Sequence, residues 1–148
     1  MKTLSKISFV FLFAVLISSF KTNPGGEGFE VYLDNKVVLQ QFGNDLAKVS
    51  TLEVTRESIN SKMTVKYWHC GKIGKSRSIT IKDMDDHTLK VYRYPDTNSR
   101  ISAMEIPVRD MFSNNKSSTL KIYYTSSELP KGRELVHLTT TKGSLAVK

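Results

Sequence analysis

Phe29-Glu30-Val31-Tyr32-Leu33-Asp34-Asn35-Lys36-Val37-Val38-Leu39-Gln40-Gln41 is the stretch that decides the fold. Phe29, Val31 and Leu33 alternate with Glu30 and Tyr32, the period of a strand with one buried face. Asp34-Asn35-Lys36 then turns the chain, and Val37, Leu39 and Gln41 alternate with Val38 and Gln40. Two hairpin registers compete. A two-residue Asp34-Asn35 loop suits a type I′ turn, since both residues tolerate positive φ, but it sets Leu33 opposite Lys36. A three-residue loop sets Leu33 opposite Val37 and Val31 opposite Leu39, giving the cleaner apolar face. A one-residue slip reverses a strand's faces, so the three-residue register is the expectation.

The same period recurs toward the C-terminus. Met63, Val65 and Tyr67 alternate with Lys66 and Trp68; Ile79 and Ile81 with Thr80 and Lys82; Leu89 and Val91 with Lys90 and Tyr92. Met104, Ile106 and Val108 follow, then Leu120, Ile122 and Tyr124, then Leu135-Val136-His137-Leu138, with Leu52 and Val54 as one more short run. Turn clusters separate them at Gly71–Lys75, Asp83–His87, Pro95–Ser99, Ser113–Ser118 and Pro130–Gly132. About eight to nine short strands with this punctuation predict an all-β fold, an antiparallel β-sandwich or open barrel. Pro107 cannot donate to a ladder, so its strand is expected at an edge or at a bulge. Arg109-Asp110-Met111-Phe112 is expected to form a helical turn.

Ahead of this domain, Lys2 and Lys6 precede an apolar run from Ile7 to Phe20 that contains no charge. That is the layout of an export signal. Its fourteen residues fall short of the roughly 20 that a membrane-spanning helix needs. A retained membrane anchor is the alternative. The expected organisation is a signal peptide over 1–20, a flexible spacer over 21–28, the β-sandwich over 29–142 and a tail over 143–148. Removing Lys2 and Lys6 from the 22 basic residues leaves 20 against 14 acidic ones, a net charge of +6. This balance permits attraction to anionic polymers, but lysine also protects sheet edges, and no nucleic-acid partner is expected. Cys70 is the only cysteine, so no internal disulfide can form, and it is expected buried as a small hydrophobe.

Few residues offer chemistry. Gly71-Lys72-Ile73-Gly74-Lys75-Ser76 has two residues between its glycines where a phosphate-binding loop needs four, and it leads into a strand. A hairpin loop is the expected reading. Asp83, Asp85, Asp86 and His87 lack the spacing of a calcium loop, and no zinc ligand set is visible, so no metal or cofactor is expected. No Gly-x-Ser-x-Gly elbow occurs, His69 and Cys70 point to opposite faces if both lie on a strand, and no catalytic residue can be named. What stands out is a set of rings placed opposite the apolar faces, interleaved with cations. Trp68, Tyr92 and Tyr123, with Lys66 and Arg93, are the candidate ligand-binding residues, and Tyr32 shares the pattern.

Gly25-Gly26-Glu27-Gly28-Phe29-Glu30-Val31-Tyr32-Leu33, Val38-Leu39-Gln40-Gln41-Phe42-Gly43, Tyr67-Trp68-His69-Cys70-Gly71-Lys72 and Tyr123-Tyr124-Thr125-Ser126-Ser127-Glu128-Leu129-Pro130 resemble segments of small exported β-rich proteins of unknown function from Bacteroidota-type bacteria. The resemblance implies export and a single β domain, and it transfers no catalytic motif. The functional expectation is an exported, non-catalytic binding or accessory domain of the cell envelope, periplasmic, at the cell surface or secreted. Its ligand would be a glycan or an envelope protein, with no stable membrane span after signal cleavage and oligomeric state left open. The alternatives are a small envelope hydrolase and a structural or inhibitor-like protein that pairs through a sheet edge.

Overall fold

The computed structural model describes residues 26–55, 57–112 and 117–140. The expected signal segment and the 143–148 tail lie outside the described residues. Among the described residues nine strands form two sheets, as the alternation predicts. The four-stranded sheet has the order β2-β1-β4-β7, made from Lys36–Phe42, Gly28–Leu33, Lys62–Trp68 and Met104–Pro107. The five-stranded sheet has the order β3-β9-β8-β5-β6, made from Ser50–Val54, Leu129–Thr140, Thr119–Ser126, Ser78–Lys82 and Thr88–Arg93. A five-residue helix, α1 (Val108–Phe112), follows β7, where the helical turn was expected. No helix among the described residues is long and apolar enough to cross a membrane.

The core lies between the sheets. Phe29 and Val31 of β1 and Met63, Val65 and Tyr67 of β4 face Ile79 and Ile81 of β5 and Leu120, Ile122 and Tyr124 of β8. Tyr67 stacks on Tyr124 across the interface, with ring centroids 4.3 Å apart. Pro107 ends β7, an edge strand, where its missing donor costs no ladder bond. Among the described strands all pairings are antiparallel except one: β3 runs parallel to β9, and this departs from the purely antiparallel expectation.

Three local readings change. The first hairpin turns through two residues, with Asp34 and Asn35 both at positive φ and Leu33 opposite Lys36. Further in, Val31 still pairs with Leu39, because an irregularity between Val31 and Tyr32 shifts the register. The turn chemistry is satisfied at the tip and the apolar face below it, and a bulge absorbs the difference. Second, Gly71–Lys75 is not a hairpin loop between paired strands. β4 and β5 lie in different sheets, so the segment crosses between them through a tight His69–Lys72 turn with Cys70 and Gly71 at positive φ. Cys70 is consequently exposed rather than buried. Third, Pro130–Gly132 lies within β9, and the turn is at Ser127-Glu128.

Candidate functional site

The outer face of the four-stranded sheet is built in rows. In the first, Phe42, Gly28 and Trp68 lie side by side on β2, β1 and β4. A Cβ on Gly28 would sit 1.9 Å from the Phe42 ring, so glycine is required for that ring to lie over the backbone. Phe42 then meets the half-buried Trp68 edge to face, with centroids 5.5 Å apart. Rings covering a strand glycine in this way pin the register of three strands. In the next row Glu30 accepts from Gln40 Nε2 at 2.7 Å and from the Tyr32 phenol, whose pKa is pushed up to about 12 by that hydrogen bond first and by burial second. Lys66 Nζ stands 4.5 Å over the Tyr32 ring. An open groove of about 400 Å³ runs past these groups, lined by Tyr32, Asn35, Thr64, Lys66, Ala103 and Glu105. Among the described residues no Ser, Cys or His lines it.

The five candidate residues do not share one surface. Trp68 and Lys66 lie on this outer face. Tyr123 lies on the outer face of the other sheet, donating to Glu134 at 2.6 Å, with Lys82 4.5 Å over its ring. Arg93 closes β6 at the rim of the five-stranded sheet. Tyr92 is inverted relative to expectation. It pairs with the inward-facing Ile79 and packs against the core, its hydroxyl buried, while Leu89 and Val91 are exposed. The residues that sequence reasoning left out are Phe42, Glu30 and Gln40. Their signal was Gly28 opposite two aromatic positions, visible only once the register is known.

The chain matches no known protein-family model and no curated protein.

The histidines form separate constellations. His69 is buried, with Nε2 2.8 Å from the Tyr124 hydroxyl and 3.2 Å from Ser126 Oγ, and Gly74 packs so closely that a Cβ there would lie 2.7 Å from Nε2. Burial is the main influence and pushes its pKa down, so the ring is neutral near pH 7. The Ser126–His69 distance is within reach for nucleophile activation, but both groups are buried and Nε2 is shared with Tyr124. His137 pairs with Glu134 on the outer face of the five-stranded sheet. His87 sits 3.0 Å from Asp83, whose other oxygen accepts from the Asp85 and His87 amides, both at 2.9 Å. Asp83, Asp85 and His87 bring ligand atoms within 4.8 Å of one another, and these hydrogen bonds account for that proximity as an exposed turn.

Proposed function

We propose that this protein is an exported, non-catalytic binding domain of the cell envelope, and that the outer face of its four-stranded sheet takes a glycan. The observation that carries the reading is the Phe42–Trp68 ring pair set beside the groove of Tyr32, Thr64, Lys66 and Glu105. Sugar rings present apolar C–H faces that stack on flat aromatics and hydroxyls that need planar donors and acceptors, and this face offers both side by side. The Glu30–Tyr32–Gln40 network fixes the acceptor geometry without ligand, which lowers the ordering cost of binding. Export rests on the cationic and apolar leader, and the envelope setting on the implied resemblance.

Trp68 is the only tryptophan, so intrinsic fluorescence reads this face directly. Titrating the protein with envelope polysaccharides is expected to shift Trp68 emission saturably for a subset of them. Trp68→Ala is expected to weaken that binding by about 2 kcal/mol or more. The same change should cost roughly 1 kcal/mol of stability, the scale of one aromatic pair, because the ring is only half-buried. The reading is overturned if no polysaccharide shifts the emission while Trp68→Ala costs about 3–5 kcal/mol, the signature of a core ring. Capture of an envelope protein that survives Trp68→Ala would likewise move the site elsewhere.

A further inference from the structure

A second groove lies at the other sheet, where β5 begins and β6 ends. Tyr94 N–H donates to the Arg77 carbonyl at 3.0 Å, holding the two segments together just beyond the strands. Between them is an open space of about 430 Å³, lined by Ser76, Arg77, Ser78, Arg93, Tyr94 and Asp96.

Its charge is unbalanced. Arg77 is only 6% exposed, and its two terminal nitrogens donate to neutral carbonyls, Nη1 to Ser102 at 3.1 Å and Nη2 to Pro95 at 2.9 Å. Its buried Nε has no partner. All 14 Asp and Glu side chains belong to the described residues, yet none forms an ion pair with Arg77. A buried guanidinium without a counter-ion is costly, and the two carbonyl dipoles engage its terminal nitrogens without neutralising its charge. Arg93, exposed at the rim, lies opposite Ser78 in the strand pairing, and its side chain makes no hydrogen bond or ion pair among the described residues. Asp96 is the one acid at the groove, and its Oδ1 is engaged by the Ser76 amide at 2.7 Å. Two cations face one anion.

We propose that this groove binds an oxyanion carried by a ligand, a carboxylate, sulfate or phosphate group. Arg93 supplies a guanidinium fork from the rim, Ser76 a hydroxyl, and Arg77 a fixed positive charge from beneath. A guanidinium pairs with any of these groups through two parallel N–H bonds, which is why the chemistry is set by negative charge and a pair of acceptor oxygens rather than by one anion. Arg77 also clamps the 95–102 segment through the Pro95 and Ser102 carbonyls. A clamp alone leaves Arg93 and the uncompensated charge without a role. The site is independent of the glycan reading, since it lies on the other sheet and uses none of the same residues.

The test is an amide NMR titration of the full mature chain at low ionic strength, where surface screening is weak. Inorganic phosphate, sulfate and glucuronate are added separately, each against chloride of matched ionic strength. At least one is expected to give saturable shifts confined to residues 76–78 and 93–96, and comparing the three tells a phosphate or sulfate source from a carboxylate one. Arg93→Gln should weaken that binding about tenfold or more. Lys36→Gln, on the edge strand of the other sheet, should change it by less than about twofold. Asp96→Asn should tighten it, because a like charge is removed while an oxygen remains for the Ser76 amide. Trp68→Ala should leave it unchanged, which separates this outcome from the fate of the glycan reading. The proposal is overturned if no anion gives saturable shifts, if Arg93→Gln and Lys36→Gln weaken binding equally, or if Asp96→Asn loosens it.

Discussion

His69 shows how one buried side chain ties pH to stability. Its ring lies against Tyr67 and Tyr124, with centroids 4.8 and 5.6 Å away, and its Nε2 meets two hydroxyls rather than a carboxylate. Desolvation leads the downward shift of its pKa. The unfolded chain therefore takes the proton first as pH falls. The folded state holds its full stability above about pH 6.5, the ordinary value, and loses it progressively between there and the lowered folded value. A single proton limits the slope to about 1.4 kcal/mol per pH unit. His87 acts in the opposite direction, since its hydrogen bond to Asp83 raises its pKa, but it is exposed and screened. The lowered carboxyls of Asp34, Asp83 and Asp86 respond only in more acid solution. Denaturant midpoints measured from pH 7.5 to 5.5 should fall for the wild type and stay flatter for His69→Gln, which keeps a polar group but cannot titrate. Parallel curves for the two proteins would mean that His69 is not the responsive group.

The β1–β2 hairpin shows what an element adds to its residues. Asp34 does two things there: its backbone N–H donates to the Lys62 carbonyl and its carboxylate accepts from the Lys62 amide, each at 2.9 Å. Asn35 shares the positive φ but not those bonds. Asn35→Gly should therefore relieve backbone strain at little cost, while Asp34→Gly gains the same relief and loses a hydrogen bond worth about 0.5–1.5 kcal/mol. The Asn35→Gly protein should be the more stable of the two by about 1 kcal/mol in a urea melt, and the reverse order would refute this account of the turn. The same scale explains which strands could be read in advance. β4, β5 and β8 alternate cleanly because each is flanked by strands on both sides and buries one face fully. β6 defeats the pattern because it is an edge strand with two half-apolar faces. Tyr92 takes the inner side, and Lys90 lays its stem inward beside it to reach Asp110 of α1 at 3.2 Å. β9 conceals a bulge: Ile122 pairs with Val136 but Tyr123 with Glu134, so Leu135 is inserted and consecutive residues Leu135 and Val136 are both buried. The candidate site was half legible for a related reason. Alternation puts Trp68 and Lys66 on an outer face, but only strand order shows that Tyr123 and Arg93 belong to the other sheet.

At the scale of the molecule, the two sheets are joined by more than their apolar faces. Glu27, just before β1, and Tyr67 of β4 belong to one sheet, and Arg133 of β9 to the other. Arg133 Nε donates to the Tyr67 hydroxyl at 2.9 Å, Nη2 to Glu27 at 3.2 Å and Nη1 to the Leu46 carbonyl at 3.4 Å, while the Tyr67 hydroxyl donates to Glu27. Glu27 thus lies where a flexible spacer was expected, but its side chain is held from both sheets. The ion pair of this network is partly exposed, with 26% of the Arg133 and 33% of the Glu27 side-chain surface open, so it carries less of the desolvation cost that burdens fully buried pairs, while Tyr67 itself is buried. It also closes a sequence separation of 106 residues, so it forms only when β1 and β9, the first and last of the described strands, are both in place. Contacts of that span are late and slow to assemble. Arg133→Met should therefore destabilise the fold by about 1–3 kcal/mol, because the Glu27 carboxylate and the Tyr67 hydroxyl lose their shared partner. The loss should appear mainly as faster unfolding rather than slower folding, as expected of an interaction absent from the transition state. Glu27→Gln alone removes the anion from Arg133 while its bonds to Tyr67 and Leu46 remain, and combining it with Arg133→Met should cost less than the sum of the two. A double-mutant cycle with a coupling of about 1 kcal/mol would establish the network as the tie between the sheets. Strict additivity would reduce it to two neighbouring surface groups and leave the interdigitated core as the whole basis of sheet pairing.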